Sequence, residues 1–157
     1  MTGEHSLEVA RQTRRYRVVD YIYEHAGVYP ERVALTSEFE SVTYLQLAKR
    51  ICALAASLID MGITRGDKVA VLTTPRSDAY SVFLAFNAIG ATWVGINPVF
   101  QFQEMEYIVR DAQALALFFL SDSNGRDYRE DAARLMEHCP KLENLFAWTA
   151  ICRLYPR

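Results

Sequence analysis

The stretch GDKVAVLTTPRSDAYSVFLAFNAIG, residues 66–90, decides how this chain folds. KVAVL (68–72) is a short valine-bearing apolar run between Gly66-Asp67 and Pro75, the pattern of a buried strand. TTPRS (73–77) is a polar turn. Beyond it Ser77 or Asp78 can cap a helix in which Val82, Phe83, Phe86 and Ile89 recur at helical spacing until Gly90 closes it. Strand, turn and helix in this order also serve nucleotide-binding proteins as a phosphate cradle. Such a cradle needs closely spaced glycines, so that bare backbone N–H groups reach the anion. Residues 73–77 contain no glycine, and Pro75 removes one N–H. The turn therefore reads as a corner in a scaffold, with Arg76 solvated and Asp78 a cap rather than a general base.

The same alternation continues on both sides. Downstream, WVGI (93–96) is a strand stopped by Asn97-Pro98, and residues 103–111 form a helix with Met105, Ile108, Val109 and Ala112 on one face. A strand over 114–120, a helix over 127–139 broken by Pro140, and a last strand over 145–148 follow. Upstream, Val18, Val19, Ile22, Tyr23 and Ala26 mark a helix ended by Gly27 and Pro30, and residues 32–36 with the polar turn 37–41 make a small hairpin. Thr43-x-x-Gln46 is a capping box, opening a long helix through Leu47, Ile51, Leu54, Ala55, Leu58 and Ile59 that Gly62 ends. Parallel strands need helical crossovers, so the expected class is α/β: an open, mostly parallel sheet with helices on both faces.

The chain has 157 residues, 51% hydrophobic and 23% charged, with a formal net charge of -2. That is a packed core without the basic field that gathers nucleic acid, so nucleic acid is excluded as an expected partner. The cluster Arg11, Arg14, Arg15 and Arg17 is diluted by Glu4 and Glu8 and reads as part of a solvated leader, residues 1–16. No apolar run approaches the ~20 residues that span a bilayer. Cys52, Cys139 and Cys152 have no CxxC spacing and an odd count, which reads as buried free thiols in a reducing, cytoplasmic setting. His5, His25 and His138 are far apart and read as surface or capping residues. Glu104, Glu106 and Asp111 are expected to face solvent from a helix whose other face is apolar. SDSNG (121–125) lies at the carboxyl edge of a strand, where α/β proteins bind ligands, but has the composition of a plain turn. The sequence has no GxGxxG, GxSxG or HExxH motif, and these residues alone supply no catalytic, cofactor-binding or metal-binding set.

Taken together, YPERVAL (29–35), VTYLQL (42–47), GITRGDKVA (62–70), FLAFNAIGATWVGINP (83–98) and EMEYIVRD (104–111) resemble, in order and spacing, the start of the adenylate-forming (AMP-binding) superfamily of acyl-CoA synthetases. The resemblance covers residues 17–150 and implies the first subdomain of such an enzyme. Gly95 stands where many relatives have proline, and Arg76 where they often have asparagine. Family members use MgATP to turn a carboxylate into an acyl-adenylate, then pass the acyl group to coenzyme A, as in fatty acid metabolism. The resemblance thus implies ATP, Mg and CoA for the full-length enzyme.

The family's phosphate loop, magnesium-binding Glu, ribose-binding Asp and mobile lysine are absent from these 157 residues. No site residue is carried over, and the expectation is an N-terminal portion inactive on its own. AICRLYPR (150–157) has no family counterpart; residues 151–157 are set apart as an atypical tail, with truncation or a frameshift the expected origin. The remainder of the synthetase or an oligomer partner is the expected companion. The alternatives are a non-catalytic module docking on a full-length synthetase or partner chain, and a small nucleotide-binding α/β protein, which the missing glycine loop disfavours.

Overall fold

The computed structural model describes residues 17–38, 40–123 and 125–149. The leader 1–16, with Arg11, Arg14, Arg15 and His5, and the tail 151–157, with Cys152, lie outside the described residues.

Helix α1 (Val18–Val28) leads into a hairpin of β1 (Val33–Thr36) and β2 (Ser41–Thr43), antiparallel as its polar turn requires. Helix α2 (Tyr44–Asp60) begins at Thr43, whose Oγ1 accepts the Gln46 N–H at 3.3 Å while Gln46 Oε1 accepts the Thr43 N–H at 2.8 Å. This is the reciprocal cap that the sequence spelled. It ends where Gly62, at φ 86°, turns the backbone left-handed. Then come β3 (Lys68–Leu72), α3 (Ser77–Ile89), β4 (Thr92–Ile96), α4 (Phe102–Ala112) and β5 (Ala116–Phe119). A hairpin of two-residue strands, β6 (Asp122–Ser123) and β7 (Arg126–Asp127), precedes α5 (Arg129–His138) and β8 (Asn144–Ala147).

β4, β3, β5 and β8 lie side by side in that order, every pair parallel. The apolar alternation in β3 sends Val69 and Val71 to one face and Ala70 and Leu72 to the other. Helices α2 and α3 cover the first face through Leu54, Leu58, Val82 and Phe86. Helices α4 and α5 cover the second through Met105, Val109, Ala132 and Leu135. A third cluster, Val19, Val42, Leu47, Ile51 and Leu84, packs α1 and the hairpin on the outside of α2 and α3. The expected α/β sheet with helices on both faces is therefore the fold.

Four expectations change in detail. Helix α1 runs through Gly27, and Ile59, expected in the core, is 56% exposed: its neighbour Leu58, 2% exposed, takes the sheet-facing side of α2 and leaves Ile59 on the outer one. Phe102, not counted in the core, opens α4 and is buried. The segment after β5 is more than a plain turn, since its short hairpin braces the neighbouring loop.

Candidate functional site

The carboxyl ends of β3, β4 and β5 converge on one rim, the place where open parallel sheets take ligands. The loops there are tied to each other. Arg126, at the start of β7, donates to the Phe100 carbonyl at 2.7 Å and to Asp131 Oδ2 at 2.7 Å, and Tyr128 donates its hydroxyl to the Pro98 carbonyl at 2.7 Å. The Arg126 guanidinium also stacks 4.8 Å above the Tyr128 ring. These bonds fix the loop after β4 against the segment after β5.

At the start of α3 the expected cap is replaced by a different arrangement. Arg76 occupies the capping position without a capping side-chain bond, so neither Ser77 nor Asp78 is the cap. Ser77 instead donates to Glu40 Oε1 at 2.8 Å, and Arg50 holds the same carboxylate through both terminal nitrogens, at 3.0 and 2.7 Å. That joins the β1–β2 hairpin, α2 and α3. Asp78 accepts from Arg76 Nε at 2.5 Å on Oδ1 and from Trp148 Nε1 at 3.0 Å on Oδ2. Trp148, just beyond β8, is buried in the same cluster as Val71 and Phe118. The carboxylate thus ties two segments seventy residues apart, a role that a window of local sequence cannot reveal.

Glu104 accepts the Gln101 N–H at 2.8 Å and so caps α4. Glu106, expected in solvent, is a correction: its side chain is 18% exposed, it pairs with Arg110, and its Oε1 stands 3.4 Å from His138 Nδ1. Asp111 is exposed as expected. Cys139 is buried, and burial pushes its thiol up from the ordinary value. Cys52, expected inside, is exposed. His25 donates from Nδ1 to the Tyr21 carbonyl, 2.8 Å away, and lies against Tyr44.

One open cleft of about 670 Å³ lies between the carboxyl ends of β3 and β4 and the first turns of α3. Thr73, Thr74 and Asn97 supply its polar margin, Arg76 its only charged lining residue among those described, and Phe83 and Trp93 its wall. The described residues do not suit a magnesium triphosphate. The turn entering α3 has no glycine, Arg76 is engaged by Asp78, and among the described residues every fully buried side-chain N or O atom has a partner and no three His, Cys, Asp or Glu residues converge. No helix among them is long and apolar enough to cross a membrane.

Comparison with known proteins agrees with this architecture. A profile of AMP-binding enzymes matches residues 22–149. The 3-oxocholest-4-en-26-oate–CoA ligase of Rhodococcus rhodochrous is 30% identical over 125 residues, 79% of this chain and 22% of the relative. The 2-succinylbenzoate–CoA ligase of Bacillus cereus (strain Q1) is 29% identical over 108 residues, 69% of this chain and 22% of the relative. The chain thus spans about a fifth of the length of the curated relatives that it matches. In three dimensions, an anthranilate CoA ligase solved with anthranoyl-AMP superposes with a TM-score of 0.77 at 22% identity, over 88% of this chain and 27% of that one.

Proposed function

Because this chain belongs to the family of AMP-binding enzymes, we infer that it forms the first α/β subdomain of an ATP-dependent acyl-CoA ligase, which turns a carboxylate into an acyl-adenylate and then an acyl-CoA. The single observation that carries the reading is the match over residues 22–149 on a four-stranded parallel sheet of the same build. ATP, Mg and CoA belong to the whole enzyme in this proposal. So do the cytoplasmic location, the link to fatty acid metabolism, and the remainder of the synthetase as companion.

In this reading the 157 residues do not carry the reaction on their own, for a chemical reason. Adenylation must neutralise a triphosphate and stabilise the charge that develops as carboxylate attacks phosphorus, through metal and aimed cations. Here the charged groups near the rim are spent on holding loops: Arg126 on Asp131, Arg76 on Asp78, Arg50 on Glu40. The subdomain's work is to hold the carboxyl rim rigid against neighbouring structure.

A chimera tests the proposal. Residues 22–149 replace the matching segment of the Rhodococcus rhodochrous ligase, and acyl-CoA formation is measured. The reading predicts a folded, active chimera with KM changed more than kcat. A folded chimera without activity would count against it.

A further inference from the structure

Strand β4 forms one border of the parallel sheet and carries none of the devices that keep a border single. Its five residues, TWVGI, include no charge and no proline, and its register on β3 runs without a bulge from Lys68↔Thr92 to Leu72↔Ile96. The opposite border, β8, has four residues and begins behind Lys141 and Glu143. Thr92 donates its N–H to the Asp67 carbonyl at 2.7 Å, which fixes the alternation along β4. Thr92, Val94 and Ile96 turn their backbone polar groups toward β3, and Trp93 and Gly95 turn theirs outward, where no partner meets them among the described residues. Apolar surface flanks this border. Phe83 and Phe86 hold the half-buried indole of Trp93 edge-on at 5.9 and 6.0 Å, Tyr80 lines the same cleft at 38% exposure, and Val99, past the end of the strand, is 71% exposed.

We propose that this border pairs with the β4 border of a second copy of the chain, antiparallel about a twofold axis at Val94. The pattern is self-complementary, which favours a second copy over an unrelated strand. With Val94 opposite its own counterpart, Trp93 stands opposite Gly95 of the second copy, and Gly95 opposite Trp93 of the second copy. These are the residues whose N–H and C=O groups point outward, so each facing pair exchanges both hydrogen bonds. The side chains agree with that register. Within one copy the indole leans over Gly95, where a Cβ would stand 3.1 Å from Trp93 Nε1, and so lies along its own strand rather than across the border. Each bulky indole then faces a glycine, and on the other side of the sheet β-branched Val94 meets Val94. The two four-stranded sheets become one. The inference goes beyond the ligase reading and does not rest on it.

Sedimentation velocity of the 157-residue chain is expected to show a dimer at about 100 μM. Gly95→Pro deletes an outward N–H on each side of the axis and is expected to weaken association at least about tenfold, with circular dichroism checking that the fold is kept. A second pair of variants reads the register directly. In a Cys52→Ser, Cys152→Ser background oxidised with diamide, Val94→Cys is expected to give a disulfide-linked dimer, because facing residues at the axis lie about 4.5 Å apart at Cα. Thr92→Cys, displaced from the axis in both copies, is expected to stay unlinked. A monomer at about 100 μM would overturn the inference. So would a dimer that a folded Gly95→Pro variant leaves unchanged, or Val94→Cys linking no more readily than Thr92→Cys.

Discussion

Thr43 and Gln46 satisfy two backbone donors that water would otherwise have to meet at the start of α2. Thr43→Ala should cost about 1 kcal/mol, read as a lower urea midpoint at unchanged slope. Tyr23 offers a second test. Burial first, and then the hydrogen bond from the Cys52 thiol at 3.8 Å, push its phenol up to about 12 from the ordinary 10.0. A raised folded value means that folding favours the neutral phenol; this contribution is full below pH 10 and disappears as pH rises through about 12. Ultraviolet titration of the nine tyrosines should show a late ionisation near pH 12 that Tyr23→Phe removes. A cap such as Thr43 is legible in sequence because both partners lie within four residues. The partner of Asp78 is Trp148 and that of Glu106 is His138, and nothing in the local spacing connects them.

Helix α3 is the element on which the fold turns, because it is buried on two sides. Val82 and Phe86 face the sheet, while Leu84 faces α1 and α2. The sequence shows the first stripe at helical spacing but gives no sign that a third layer covers the opposite side, since that layer comes from a helix sixty residues earlier. Phe86, fully buried against Phe118 and Trp93, should cost about 3–5 kcal/mol on truncation to alanine, seen as a fall in the thermal midpoint. Gly90 closes the helix at φ 79°, and a Cβ there would stand 3.0 Å from Arg65 Cγ. Gly90→Ala should cost about 1–2 kcal/mol for the left-handed backbone, with Arg65 swinging aside. The four parallel strands were legible from short apolar runs between turn residues. The β6–β7 hairpin was not, because two-residue strands carry no periodicity.

Across the whole molecule, β4 and β8 each pair on one side only among the described residues. Unpaired strand edges invite further strands, and the purified chain should therefore self-associate or bind an apolar dye. Sedimentation showing a monodisperse, dye-silent monomer would contradict this. The candidate cleft is not legible in the sequence because Phe83, Trp93 and Arg76 meet only once β3 and β4 lie parallel with α3 across them. The central claim is that these residues form a scaffold whose charged groups are committed to holding it. The direct measurement is ATP–pyrophosphate exchange by the purified 157-residue chain across a panel of carboxylic acids. The account predicts no acid-dependent exchange above background; a clear acid-dependent signal, abolished by removing magnesium, would contradict it.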